Sequence, residues 1–276
     1  YTGDVKLGGM LHVRLALSPH PHARIIRIGR SVAEAVPGVV AVLVAEDLPT
    51  RDQVISSRMS AILAKEKVLF EGQPVVAVVG ETVAAGQDGV EALEIEYELL
   101  PTIPNLDAAL TPEAPVLWPD GLPKDAINVS ADHGGVEQQE SAEPREPSNI
   151  HMENRYARGD VEQGFRESDV VLERTYRIPA VHQGYLEPQV SVAAPEGSSG
   201  LVLYASTQGP RTIRNEVARL LRLPRSQVRV VPMPMGGGFG GKHGLIEPLT
   251  AAIAFHLRRP VRLELTRTED FLTSMH

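Results

Sequence analysis

The segment Met235-Gly-Gly-Gly-Phe-Gly-Gly-Lys242 packs five glycines into eight residues, between a strand-like run (Val228–Val231) and a helix-like run (Leu249–Leu257). Glycine concentrates this way where backbone must adopt φ > 0 or come close to another group. Successive amides from Gly236 to Lys242, leading into a helix, suit the holding of an anionic or polar cofactor group.

Two common templates fit the loop. Gly236, Gly238 and Gly241 match G-x-G-x-x-G, with Glu264 downstream to meet a ribose. Gly236, Gly241 and Lys242 match G-x-x-x-x-G-K, the phosphate-cradling loop of nucleotide triphosphatases. The second template needs a Ser or Thr after its lysine to hold Mg²⁺, and the chain has His243 there. The first needs an uninterrupted buried strand before its first glycine, and Pro232 and Pro234 interrupt it. It survives as the alternative of an NAD-dependent oxidoreductase. A plain tight turn with no ligand does not account for so many adjacent glycines.

The rest of the chain bounds the problem. Its 276 residues suffice for two modest domains. A net charge of −8 argues against nucleic acid or an anionic membrane surface as the main partner. The basic residues from Arg211 to Arg229 read as a solvated helix face with flanking turns. With no cysteine, this chain carries no disulfide framework, thiolate zinc site or iron–sulfur cluster. No apolar run is long enough for a membrane span, and the first residues do not form a signal peptide; a cytoplasmic location is expected. His20, His22, His151, His182 and His256 lack metal-ligand spacing, so no metal site built from side chains is expected. No Ser/His/Asp triad can be assembled.

Hydrophobic patterning predicts an α+β fold. Strands are expected at Leu11–Leu17, Ala23–Ile28, Val39–Val44, Val75–Val79 and Glu94–Tyr97, with a Ser31-capped short helix and a helix over Thr82–Leu93. Residues 102–158 read as a linker, with a mobile acidic loop at 129–149 where few apolar residues oppose the ordering entropy. Beyond it, Asp160 and Gln163 form a capping-box-like helix start. Strands follow at Asp169–Arg177, Val190–Ala194, Leu201–Ser206, Val228–Val231 and Val261–Leu265. Helices are expected at Pro210–Arg222, with Ile213, Val217, Leu220 and Leu221 on one face, and at Leu249–Leu257.

Many segments, in order, resemble the molybdopterin-binding subunit of the xanthine dehydrogenase/aldehyde oxidase family. Tyr1-Thr-Gly-Asp4, Ser18-Pro-His-Pro-His-Ala-Arg24, Val36-Pro-Gly-Val-Val40, Gly72-Gln-Pro-Val-Val-Ala-Val-Val79 and Ile95-Glu-Tyr-Glu-Leu-Leu-Pro101 are similar to its hammerhead domain. Gly159-Asp-Val-Glu-Gln-Gly-Phe165, His182-Gln-Gly-Tyr-Leu-Glu-Pro-Gln189, Ala205-Ser-Thr-Gln208 and the glycine loop are similar to the opening of its cofactor domain. The resemblance implies a hammerhead-like domain at 1–101, the linker at 102–158, and the first half of a molybdopterin-binding domain at 159–276.

It further implies a molybdenum hydroxylase that oxidises an aldehyde or N-heterocycle with oxygen from water; carbon monoxide oxidation remains open. By resemblance, Gln208 orients the molybdenum oxo ligand, and Gly237, Gly238, Phe239, Gly240 and Gly241 lie against the cofactor, with Gly238 and Gly241 permitting its approach. The cofactor would be molybdopterin, in plain or cytosine dinucleotide form, with 2Fe-2S clusters and FAD on partner chains or domains. The catalytic glutamate base and most pterin contacts would belong to a C-terminal half, supplied as a separate chain or a further segment, so this chain alone is expected to be inactive. Purine-hydroxylating members would carry a carboxylate where His243 stands, so a purine substrate is disfavoured. Glu187 is expected to be structural, and Lys242 either neutralises nearby charge or joins a salt bridge. A competing reading is a non-catalytic binding or assembly module that keeps the fold and has lost the cofactor.

Overall fold

A computed structural model describes residues 1–50, 62–119, 148–150, 156 and 158–274. The acidic loop expected at 129–149 lies, apart from its last two residues, outside the described residues. The chain divides into two compact units, the larger containing Tyr1–Thr102 and His182–His276, the smaller drawing on Ile103–Leu122 and Ala142–Val181.

Among its described residues the larger unit carries ten strands: β1 (Leu11–Leu17), β2 (Ala23–Gly29), β3 (Val39–Leu43), β4 (Lys67–Val68), β5 (Pro74–Gly80), β6 (Glu94–Leu99), β7 (Val190–Glu196), β8 (Gly200–Ala205), β9 (Val228–Pro232) and β10 (Val261–Glu264). Seven form one mixed sheet in the order β3-β5-β1-β10-β7-β8-β9, and β4-β2-β6 form a second. The two ends of the chain meet in the large sheet, where β1 runs parallel to β10 with Leu11 opposite Val261. The apolar run of β5 has every residue buried because it lies between β1 and β3 and is covered on both faces. β9 is an edge strand and ends on Pro232, a position where a missing N–H costs the ladder nothing.

Helices α1 (Ser31–Glu34) and α2 (Val83–Glu91) belong to this unit, and α2 is capped by Thr82, whose hydroxyl accepts from the Ala85 amide at 3.1 Å. The expected Ser31 cap is not formed: the helix starts at Ser31 itself, with Arg30 at the cap position and no side-chain cap bond. The smaller unit contributes α3 (Leu106–Ala109) and α4 (Val161–Glu167). Asp160 caps α4 by accepting from the Gln163 amide at 2.9 Å, while the Gln163 side chain turns forward to Glu167, so only half of the expected capping box forms. The strand expected at Asp169–Arg177 is absent; those residues are exposed and irregular. Alternating apolar residues do not make a strand when no neighbour accepts the ladder, and Val170, Leu172 and Tyr176 remain largely in solvent.

The larger unit continues with α5 (Pro210–Leu220) and α6 (Glu247–Leu257). The Ile213/Val217/Leu220 face of α5 is buried as its spacing predicts, and α6 is buried from Glu247 through Ala254. Leu249 and Ile253 of α6 share a core with Ile213 and Val217 of α5 and with Leu201 and Leu203 of β8. Each such burial stabilises the fold by roughly 1.5–3 kcal/mol.

A last helix, α7 (Arg267–Thr273), escaped the sequence reading. Thr266 starts it with a reciprocal capping box: its hydroxyl accepts from the Glu269 amide at 3.2 Å, and Glu269 accepts from the Thr266 amide at 2.6 Å. The other Glu269 oxygen holds Arg14 of β1 at 2.6 Å, tying α7 to the large sheet. Thr266→Ala is expected to cost about 1 kcal/mol, read as a lower urea midpoint with an unchanged slope. Among the described residues no helix is long and apolar enough to cross a membrane.

Candidate functional site

Parallel pairing places the site. β8 and β9 run side by side with Ala205 opposite Pro232, so the segments leaving their carboxyl ends emerge together. The segment after β8 carries Ser206, Thr207 and Gln208 into α5. The segment after β9 carries the glycine loop into α6. Crevices outside the carboxyl ends of parallel strands are where open α/β sheets bind ligands. β9 and β10, however, are separated by β8 and β7, so the glycine loop does not sit in a unit with two adjacent parallel strands. The dinucleotide template loses its structural context.

The two segments are bonded to each other. The Gln208 amide donates to the Lys242 carbonyl at 2.8 Å, and the Thr207 hydroxyl donates to the same oxygen at 3.2 Å. In return, the Gln208 side-chain oxygen accepts from the Gly240 amide at 3.0 Å and the Lys242 amide at 3.4 Å. With Oε1 engaged by two donors, the Gln208 NH₂ is turned outward on an exposed side chain.

The glycines have distinct reasons. A Cβ on Gly238 would come 2.6 Å from Oε1 of Gln208, and one on Gly241 would come 2.8 Å from the Tyr185 ring. Both residues are buried. Within the fold, those two glycines leave room for Gln208 and Tyr185. Gly236 is equally confined, by Glu187 at 2.6 Å. Gly240 differs. Its φ of +92° is a left-handed conformation, and nothing lies within 4 Å of where its Cβ would be. Phe239 beside it has φ +47° and a ring that is 74% exposed. The Phe239–Gly240 edge of the loop is therefore bare, and a non-glycine residue held at positive φ marks a backbone constrained by its surroundings.

Beneath the loop lies a polar network. Lys242 is fully buried, its ammonium 2.9 Å from Oε2 of Glu187 and 4.9 Å from the Tyr185 ring centre. Glu187 also accepts from the Gly236 amide at 2.9 Å and from the Ser206 hydroxyl at 2.9 Å. Burial pushes the Glu187 carboxyl upward, but these donors outweigh it and the net shift is downward. Of the two roles open to Lys242, the ion pair is formed within the chain, with Glu187 as its partner.

A second chain of bonds was not visible in the sequence. Gln189 donates to the Gly241 carbonyl at 2.8 Å and to the Tyr185 hydroxyl at 3.0 Å, and that hydroxyl donates to Asp270 at 2.9 Å. Burial first, and then the Asp270 carboxylate, push the Tyr185 hydroxyl up to about 12. Asp270 sits in α7, far from the motif in sequence, and no local pattern flags it. The expected site residues thus come together: Gln208 and Gly237–Gly241 form one ledge on a buried base of Tyr185, Glu187, Gln189 and Lys242. Among the described residues no group of three or more His, Cys, Asp or Glu is placed to hold a metal ion.

Two sequence models match the chain, that of the aldehyde oxidase and xanthine dehydrogenase a/b hammerhead domain over residues 1–101 and that of the molybdopterin cofactor-binding domain over 142–276. A probable xanthine dehydrogenase subunit of Bacillus subtilis (strain 168) is 32% identical across 98% of this chain and 33% of its own length. The carbon monoxide dehydrogenase large chain of Hydrogenophaga pseudoflava is 35% identical across 99% of this chain and 34% of its own. The solved structure of reconstituted CO dehydrogenase from Oligotropha carboxidovorans superposes with a TM-score of 0.81 at 33% identity, over 98% of this chain and 33% of that one. The chain spans about a third of the length of these relatives.

Proposed function

Because the chain belongs to the xanthine dehydrogenase/aldehyde oxidase family, we propose that Gln208 and Gly237–Gly241 form one wall of a molybdenum cofactor site. The carrying observation is the orientation of Gln208. Its oxygen is occupied by the Gly240 and Lys242 amides, which leaves the NH₂ as an outward donor on an exposed ledge. A ledge that offers donors beside bare backbone at Phe239–Gly240 suits an acceptor-rich group, such as oxo ligands and pterin heteroatoms, and is unsuited to a free cation. The fit extends to rigidity, since the ledge is bonded to the buried network below and would not need to reorganise on binding.

When bound, molybdopterin, in plain or cytosine dinucleotide form, would supply the oxidation of an aldehyde or N-heterocycle with water as oxygen source. The protein's part is positioning: Gln208 presents a donor at a fixed place, and the loop backbone defines the floor. Residues 159–276 act in this reading as the first half of the cofactor domain, and residues 1–101 as the hammerhead domain. The general base and the remaining pterin contacts come from a C-terminal half, and electrons leave through 2Fe-2S clusters and FAD on partner chains or domains in the cytoplasm. His243, in place of a carboxylate, disfavours a purine substrate.

The intact protein, purified from a host that makes the cofactor, should contain stoichiometric molybdenum; its absence would favour a non-catalytic module instead. Gln208→Glu tests the ledge itself. It keeps an oxygen for the Gly240 and Lys242 amides but replaces the outward donor with an acceptor. A fall in kcat of roughly 10²-fold with molybdenum retained is expected, the scale of losing one preorganised donor. An unchanged kcat would remove Gln208 from the site.

A further inference from the structure

The start of α5, the turn before β9 and β9 itself enclose an open groove of about 650 Å³. Arg211, Arg214, Arg225 and Arg229 line it together with Ser226, while Pro210 and Val230 supply apolar surface. Arg229 is committed to Glu196 by a two-bonded ion pair. Arg211, Arg214 and Arg225 are not: among the described residues none of their side chains has an ion-pair or hydrogen-bond partner. Arg211 and Arg214 stand one turn apart on α5, where like charges repel. The Nε–H of Arg214 is shielded from solvent and has no acceptor among the described residues, so no hydrogen bond orients that guanidinium.

Three unneutralised guanidiniums converging on one groove are out of keeping with a chain of net charge −8. Guanidinium forks match the oxygens of phosphate and carboxylate. A single carboxylate, with one charge and two oxygens, satisfies one fork. A phosphate ester brings up to two charges and three terminal oxygens, enough to engage several forks and the Ser226 hydroxyl together. The groove is also far larger than an inorganic anion and has an apolar side. We propose that it is a binding site for a small organic phosphate, whose phosphoryl group is held by Arg211, Arg214 and Arg225 and whose organic part lies against Pro210 and Val230. The groove begins two residues beyond Gln208, but the proposal is independent of the molybdenum site.

Calorimetry on the intact protein at constant ionic strength, with inorganic phosphate, phenyl phosphate and benzoate as probes, tests it. Saturable binding of phenyl phosphate is expected, tighter than inorganic phosphate and much tighter than benzoate. Arg214→Gln and Arg225→Gln should each weaken it at least about tenfold, the scale of one charge-assisted contact. Arg229→Gln, which removes an already paired side chain, should change it far less. Since Arg225 is exposed, its variant keeps the test valid should Arg214→Gln fail to fold. No saturable binding, equal binding by both variants and the wild type, or benzoate binding as tightly as phenyl phosphate would each overturn the assignment.

Discussion

Lys242→Met is expected to destabilise the protein by roughly 3–5 kcal/mol, the cost of leaving one partner of a buried ion pair alone. The ammonium has no exposed surface, and its partner Glu187 is only 14% exposed. Removing the ammonium strands a carboxylate that still accepts from Gly236 and Ser206. The double variant Lys242→Met/Glu187→Gln removes the charge as well and should recover a large part of the loss, because an ion pair replaced whole is often near neutral. Urea unfolding of the four proteins in a double-mutant cycle measures this. Additive losses would show that the pair does not hold the loop. The Glu187 carboxyl is also depressed in the fold, so its stabilisation is present above its unfolded pKa and is lost as pH falls through the lower folded value. Lys242→Met should shrink that acid-side loss.

The sequence disclosed those parts of the molecule that local chemistry determines. The apolar run at 75–79, the Ile213/Val217/Leu220 face of α5 and the glycine density of the loop each follow from short-range constraints, and each stands where its pattern put it. The pairing of Gln208 with the loop was legible as resemblance; its physical basis, two parallel strands ending side by side, is a matter of topology. What stayed hidden was nonlocal. Asp270 reaches the loop through Tyr185 and Gln189 although it lies 29 positions beyond Gly241. The strand expected at 169–177 had the right composition and no partner to pair with. The neighbours that confine glycine at 238 and 241 were likewise hidden, because which side chain fills the missing Cβ's place depends on Gln208 and Tyr185 arriving from other segments.

Glu247→Gln is expected to stabilise the protein, and only toward alkaline pH. Glu247 opens α6 from a fully buried position, and burial pushes its carboxyl from 4.5 up to about 7, against the opposing pull of nearby backbone amides and Lys242. A carboxyl whose folded pKa is raised binds more protons in the native state than in the unfolded chain. Stability therefore falls as pH rises from the unfolded value to the folded one, and the deficit is complete above about pH 7. A rise of that size corresponds to roughly 3 kcal/mol. Glutamine mimics the neutral carboxyl and keeps an oxygen for the Ile246 amide, which donates to Glu247 at 3.2 Å. The variant and the wild type should be nearly equally stable at about pH 4, and should diverge progressively to about 2–3 kcal/mol by about pH 9. Asp270, also raised by burial, adds a loss of the same sign to both proteins and cancels in the difference. A gap between the two urea midpoints that does not change with pH would mean that the folded carboxyl titrates where the unfolded one does, with no rise on burial.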